Sequence, residues 1–502
     1  LSLSLNTLPE THPTDRPHEG RIGIIDIGSN SIRLVIYSGI KRTPQPLYNE
    51  KVFCALGKGL EITGKLNPEG VKLAYASIAR LLTIARLMDV VELKILATAA
   101  IRDAKDGRTF VETVADKYQV NITVISGKRE ARLAAAGVMS SFYEPDGLVG
   151  DMGGGSIELI RLKDHSTFDQ DTLPIGPLRM IDATSGNKVK MQKLITKRLN
   201  EITWLAKTKA SVFYAIGGSF RALAHIHMEQ SSYPLHVLHH YSAKRSEILK
   251  LCKHIIPLSE AQISKLPGMA PRRVSSMAPA AMVMQQVLEQ SGAGHVIFST
   301  SGIREGYLYE KLSPYLRAED PLTSSAMQLM QKPSHAHAYA KELFAWAAAL
   351  FPKEPPALKR LRLAVSILSE IADLMHPEYR ADWAFHHVLQ SSLTGADHRE
   401  KVMIALALYH RYKTKLKDEF SVLSLISPAD RDWAKLVGTS AHLAYHLSGG
   451  MSGNLAFTKL SIKKSALHLY LSSDVEDLMS DAIRKRIDGL GEALKAFSSR
   501  AK

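Results

Sequence analysis

The sequence predicts an α/β protein built as two similar lobes around a cleft, followed by an all-α domain. Three observations predict it. Two short segments, Ile24-Ile25-Asp26-Ile27-Gly28-Ser29-Asn30-Ser31 and Leu148-Val149-Gly150-Asp151-Met152-Gly153-Gly154-Gly155-Ser156, share one pattern: an apolar run, a carboxylate, a Gly two residues on, then small or polar residues through to Ser. From about Arg21 onward, strand-like and helix-like segments alternate. Beyond about residue 335 the segments are helix-periodic, with few strand signals.

Taken in order, Ile22 to Ile27 and Arg33 to Tyr37 read as strands around the first turn, and Val71 to Leu87 as a helix. Leu93 to Thr98 and Ile122 to Ser126 follow as strands, and Arg129 to Ser141 as a helix. A second α/β unit opens with strands at Leu148 to Asp151 and Ile157 to Leu162. The resulting division is a flexible lead over 1–20, a first lobe over 21–140, a second over 141–313 and a Pro- and Ser-rich linker over 314–334. A helical domain over 335–502 completes it, with helices expected at Ala338 to Phe351, Ala357 to Met375, Asp382 to Leu393, Arg399 to Tyr412 and Asp430 to His446.

A strand running into a turn with few side chains lets backbone N–H groups close on phosphate oxygens. This makes Gly28, Ser29, Asn30, Ser31, Gly153, Gly154, Gly155 and Ser156 candidate phosphate-binding residues. A carboxylate at each strand end would repel phosphate unless a divalent cation lay between them, so Asp26 and Asp151 are candidate Mg²⁺ ligands. A third apolar run, Val212 to Ile216, enters Gly217-Gly218-Ser219 ahead of a helical-looking stretch, which is an anion site if the helix starts there. Ordinary turns use the same residues, and no single copy decides between the readings. No Walker P-loop and no dinucleotide fingerprint occurs, so those nucleotide-binding classes are excluded.

The chain of 502 residues carries a formal net charge of +15, which favours a polyanionic partner: nucleic acid, an anionic membrane surface or inorganic polyphosphate. Lys188, Lys190, Lys193, Lys197, Arg198, Lys207 and Lys209 stand against Glu201 alone in one stretch. This is either a solvated helix face or a rail for a polyanion, with Lys193, Lys197 and Arg198 as the rail candidates. Arg272 with Arg273, and the run Arg411, Lys413, Lys415, Lys417, invite the same two readings. Two cysteines, Cys54 and Cys252, support neither a disulfide framework nor a cysteine zinc site, and a cytoplasmic location fits. No run long and apolar enough for a membrane span is present, and the first twenty residues lack the pattern of a signal peptide.

Six stretches together resemble the exopolyphosphatase/guanosine pentaphosphate phosphatase family, within the superfamily of actin, sugar kinases and the Hsp70 ATPase. They are Asp26-Ile-Gly-Ser-Asn-Ser31, Ala97-Thr-Ala-Ala-Ile-Arg102-Asp-Ala, Ile125-Ser-Gly-Lys-Arg-Glu130-Ala-Arg132, Asp151-Met-Gly-Gly-Gly-Ser-Ile-Glu158, Ala215-Ile-Gly-Gly-Ser219 and Gly302-Ile-Arg-Glu-Gly306. They cover roughly residues 20 to 310 in the family's order. The resemblance implies two actin-like lobes of the RNase H-like kind and a helical extension similar to HD-type phosphohydrolase folds. It also implies Mg²⁺-dependent hydrolysis of terminal phosphoanhydrides. Inorganic polyphosphate is the expected substrate, guanosine pentaphosphate the alternative and a superfamily kinase the more distant one; a homodimer is the expected assembly.

By this resemblance Glu130, in the Glu-Ala-Arg triplet, is the catalytic base that handles the attacking water. Its place after a strand and the Gly127 turn also suits a helix start, where an acidic side chain is favoured on its own account. Lys128 and Arg129 stand beside it where more acidic character is expected. Glu158 shares a strand face with Ser156, and the resemblance makes it a second catalytic carboxylate or a metal ligand. Arg102 matches the family's arginine, whose planar guanidinium suits a bidentate grip on phosphate. His376, His386, His387, His398, His410, His442 and His446 crowd the helical region, but Pro377 follows His376, so the His-Asp pair of an HD metal site is absent. An actin-like scaffold or a nucleic-acid binder would leave Glu130 and Glu158 without a task.

Overall fold

A computed structural model describes residues 18–330, 333–416, 420–463 and 466–500. The expected lead over 1–20 falls almost wholly outside these residues, as does Lys417. The chain divides into two compact units at Ala318/Glu319.

The first unit holds two sheets. In the first sheet, β1 (His18–Ile27), β2 (Ile32–Ile40), β3 (Pro46–Val52), β4 (Val90–Ala97) and β5 (Ile122–Val124) lie in the order β3-β2-β1-β4-β5. β1 pairs antiparallel with β2 and parallel with β4. The second sheet contains β6 (Gly147–Met152), β7 (Ile157–Lys163), β8 (Ser166–Leu173), β9 (Val212–Ile216), β10 (Tyr241–Lys244) and β11 (His295–Phe298), in the order β10-β11-β9-β6-β7-β8. β6 pairs antiparallel with β7 and parallel with β9, which pairs parallel with β11. Read outward from the strand that carries the aspartate, both sheets repeat one plan, with two antiparallel strands on one side and two parallel ones on the other, to which the second sheet adds the antiparallel β10 at its edge.

The apolar run of β1 is continuous because both faces are covered. Ile25 and Ile27 join Ala74, Ile78 and Leu81 of the helix Pro68–Leu87. Ile22 and Ile24 pack with Leu133 and Ala136 of the helix Gly127–Ser141, and with Leu308, Tyr309 and Leu312. The other side of that same helix, Ala131, Ala134, Ala135 and Val138, packs on Val149, Ile160 and Tyr214 of the second sheet. Gly127–Ser141 therefore lies between the sheets and buries nearly every residue from Leu133 onward.

The helix Ile303–Glu310 crosses it at glycines. A Cβ on Gly306 would stand 1.8 Å from the Leu133 carbonyl oxygen, and one on Gly137 would stand 2.3 Å from that of Gly302. The segment after β11 thus returns to the first lobe's core, whereas the sequence assigns everything from 141 to 313 to the second lobe. That return is a tertiary contact between segments distant in the chain, and no local pattern writes it. The Pro- and Ser-rich stretch expected as a linker contains the helices Pro314–Ala318 and Pro321–Leu329, both opening on a proline at the first turn.

The second unit carries the helices Pro333–Trp346, Pro356–Leu368, Arg380–Gln390, His398–Tyr412, Pro428–Ser448 and Asp481–Arg500. The first five overlap the expected ones; the sixth was not assigned from sequence. Also present is a hairpin of β12 (Thr458–Lys463) and β13 (Ala466–Leu471). Its alternation of Leu467, Leu469 and Leu471 with His468 and Tyr470 is a period-two signal that the helical surroundings outweighed. Buried ion pairs tie this unit internally. Arg360 bonds Asp320 at 2.6 Å, and Arg362 bonds Glu354 at 2.8 Å.

Candidate active site

Each lobe brings one strand-end turn to a shared cavity of about 220 Å³. After β1 the Gly28 N–H donates to the Ser31 carbonyl at 3.0 Å, and after β6 the Gly153 N–H donates to the Ser156 carbonyl at the same 3.0 Å. A Cβ on either glycine would meet only its own turn's carbonyl, 3.5 and 3.6 Å away, so both turns offer bare backbone to the cavity. The third turn needs glycine for a different reason. Gly217 has φ 104°, and a Cβ there would sit 2.2 Å from the Met152 carbonyl oxygen. Behind it begins the helix Gly218–Gln230, with its unpaired N–H groups at the cavity. Every turn residue expected to bind phosphate, from Gly28 to Ser31, Gly153 to Ser156 and Gly217 to Ser219, lines this one space.

Asp26, Glu130 and Asp151 reach the same cavity from three elements. Glu130 sits in the first turn of Gly127–Ser141, which Ser126 caps by accepting the Arg129 N–H at 3.2 Å. Burial pushes its carboxyl up to about 7, with Asp151 and Asp26 adding to the push and Arg102 opposing it. Asp151 is pushed up to about 6, by burial and then by Asp26, against Arg221 and Arg304. Glu158 stands opposite Asp151 in the β6–β7 register and is 1% exposed. Burial, then Glu130 and Asp151, hold it well above the usual carboxylate range, and its Oε1 has no hydrogen-bond partner.

Arg102 does not line the cavity. Its Nη1 bonds Glu130 at 2.9 Å and the Ile125 carbonyl at 3.1 Å, while its Nε bonds Asp103 at 3.2 Å. The expected grip on phosphate is thus replaced by a grip on Glu130, a partner 28 residues away in the chain. Asp26 is likewise engaged, by Arg304 at 2.8 Å.

Arg33, Lys51, Arg221, Arg272 and Arg273 also line the cavity. Burial and then the neighbouring Arg273, Arg221 and Arg33 bring Lys51 down to about 7. Burial, Arg304 and Arg273 lower Arg221 in the same sense. Cations that depress one another in a half-enclosed space are relieved by a polyanion. Of these five, the sequence singles out only Arg272 and Arg273. Arg33 was legible, since it lies two residues past Ser31 just as Glu158 lies two past Ser156. Lys51 was not, because β3 is a partly exposed outer strand with little apolar pattern.

Lys193, Lys197 and Arg198 are not brought to the cavity. They lie on the helix Lys188–Asn200, which buries Met191, Ile195 and Leu199 in the second lobe and leaves Lys193 and Lys197 exposed; Arg198 meets Glu201 at 3.4 Å. In the second unit His442 and His446 accept from Arg486 at 3.3 and 3.2 Å, and burial brings His442 down to about 4. Among the described residues, no group of three or more His, Cys, Asp or Glu side chains is placed to hold a metal ion. Asp26, Asp151 and Glu158 therefore do not form a common three-ligand cage. Asp26 is tied to Arg304, and Glu158 is buried and does not line the cavity. Asp151 nevertheless lines the cavity with its carboxyl raised by burial and by Asp26, which makes it the carboxylate that a cation would relieve. A hydrated Mg²⁺, which takes one or two carboxylates and keeps its remaining sites for water and phosphate, fits that donor set with Asp151 as its protein ligand.

The Ppx/GppA phosphatase family matches residues 17–314, and the exopolyphosphatase C-terminal domain matches 322–496. Exopolyphosphatase 2 of Mycobacterium tuberculosis is 26% identical over 313 residues, covering 57% of this chain and 97% of the relative. Retrograde regulation protein 2 of Saccharomyces cerevisiae is 23% identical over 491 residues, covering 86% of this chain and 82% of the relative. Among solved structures, an exopolyphosphatase from Cytophaga hutchinsonii superposes with a TM-score of 0.54 at 24% identity, covering 58% of this chain and 97% of that one. The Aquifex aeolicus Ppx/GppA family member gives a TM-score of 0.50 at 25% identity, covering 58% and 97%. The duplicated sheets are thus the actin-like fold of these neighbours, and the chain belongs to the Ppx/GppA phosphatase family, a family of hydrolases.

Proposed function

We propose that this protein is a Mg²⁺-dependent exopolyphosphatase that releases orthophosphate from the end of an inorganic polyphosphate chain. The observation that carries the reading is Glu130: a carboxyl held near 7 in one cavity with three glycine-rich backbone turns and a set of arginines and a lysine. A base poised near the working pH is matched to taking a proton from water.

In this reading the backbone N–H groups of the turns at Gly28, Gly153 and Gly218 surround the terminal phosphate, and Arg33, Lys51, Arg221, Arg272 and Arg273 receive the phosphates behind it. Glu130 accepts the proton of a water whose oxygen bonds to the terminal phosphorus, while the bridging P–O bond breaks and the shortened chain leaves as the anion. Arg102 fixes the Glu130 carboxylate, and burial with Asp151 and Asp26 nearby keeps its proton affinity high. A bound Mg²⁺ would neutralise phosphate charge beside Asp151. Lys193, Lys197 and Arg198 play no part in the proposal, because the cations that meet the chain are those of the cavity wall.

Orthophosphate release from polyphosphate, guanosine pentaphosphate and ATP, measured side by side with and without Mg²⁺, tests the assignment. Fastest release from polyphosphate, lost on chelation, is the expected result. Release from guanosine pentaphosphate with none from polyphosphate would shift the assignment to the nucleotide, and release from neither would remove it.

A further inference from the structure

The helix Pro177–Thr184 of the second lobe carries a set of bonds that the reaction as described does not use. It is fixed to the second phosphate turn, because the Leu178 N–H donates to the Gly154 carbonyl at 2.9 Å. From this helix Arg179 reaches across to the first lobe, where its Nη2 meets Asp103 Oδ2 at 2.5 Å and its Nε lies 3.5 Å from Glu61. One turn further along, Asp182 accepts the Gly59 N–H at 2.7 Å. The other oxygen of Asp103 holds Arg102 at 3.2 Å, and Arg102 holds Glu130 at 2.9 Å. An unbroken series of charge-assisted bonds therefore runs from the helix beside the second lobe's phosphate turn to the carboxylate of the first turn of Gly127–Ser141.

The Arg179 side chain is 15% exposed and that of Asp103 is 31% exposed, so the pair is less screened than a freely solvated one. Asp103 without Arg179 keeps a charged oxygen that competes with Glu130 for Arg102. Asp103 with Arg179 is satisfied on both oxygens, and Arg102 stays in its place.

We propose that Arg179 and Asp103 are positioning residues: their ion pair holds Arg102, and through it Glu130, in the orientation that activates water. This rests on the reading of Glu130 as the base.

The test is a set of variants assayed on polyphosphate of fixed length. Arg179→Met should lower kcat about tenfold, in line with the cost of a modest misplacement of a catalytic group, with KM changed by less than about twofold and the melting temperature nearly unchanged. Arg179→Lys should recover most of the rate. In the Glu130→Gln background Arg179→Met should cost nothing further, because the group it positions is already gone. Asp103→Asn, with Asp103→Glu as its rescue, repeats the experiment should Arg179→Met fold poorly. An unchanged kcat, a loss confined to KM, or the same loss with and without Glu130 would overturn the proposal. Near-wild-type turnover of Glu130→Gln alone would instead remove the base itself, and that outcome is read in a different protein.

Discussion

Glu130 is where sequence and structure meet most directly. Its type, its turn and its helix start are local, and they were legible; what raises its carboxyl is not local at all. Burial between two sheets and the proximity of Asp151 come from the tertiary fold, as does the restraining Arg102. A base with a carboxyl near 7 is protonated below that pH, so the rate should climb as pH rises towards about 7 and level off above it. A pH profile of kcat/KM in wild type reads this directly. Glu130→Gln should lower kcat by about 10²–10⁴-fold, with binding of polyphosphate retained. Lys51 yields a second prediction with the opposite sign. Its ammonium is brought down to about 7 in the free protein, so at pH 8 it is largely neutral, and a bound polyanion should restore its charge. Calorimetry of polyphosphate binding at pH 8, in buffers of different ionisation heat, should show proton uptake that disappears in Lys51→Met.

At the scale of elements, the pattern of apolar residues found the strands around both turns, the helices Pro68–Leu87 and Gly127–Ser141 and five helices of the second unit, because β1, β6 and Gly127–Ser141 bury what they present; the long helix Val274–Ser291 was not assigned. What the pattern did not reveal is how close two of the helices come. Gly137 and Gly306 let Gly127–Ser141 and Ile303–Glu310 cross in backbone contact, and glycines within helices read from sequence merely as weak helix formers. Gly306→Ala should destabilise by about 1–3 kcal/mol, the usual cost of forcing a methyl into a packed interior. Thermal unfolding should show the loss as a lowered melting temperature. The same methyl on half-buried Gly489, which would meet nothing within 4 Å, should leave stability unchanged or improved.

Across the whole molecule, the carboxylates and cations of one cavity make stability depend on pH. Glu130, Asp151 and Glu158 all have carboxyls raised by burial above their unfolded values. Groups raised in the folded state add stability that is fully present below the unfolded value and is lost as pH rises through about 6 to 7. Lys51 and His442, whose values burial lowers, act in the opposite direction, so the carboxylates are read as a difference between proteins. Relative to Glu130→Gln, the melting temperature of the wild type should fall between pH 5.5 and pH 8, and millimolar Mg²⁺ should restore stability at pH 8 more than at pH 5.5. A difference independent of pH would contradict the raised Glu130 carboxyl. The repeated strand order is not matched by a repeated charge. Asp26 pairs in register with Arg33 on one hairpin, and Asp151 with Glu158 on the other, so matched positions of the two halves bear opposite charges. The two halves therefore share a backbone plan but not a chemistry: at that position the first hairpin gives the cavity an arginine, while the second withdraws a glutamate from solvent.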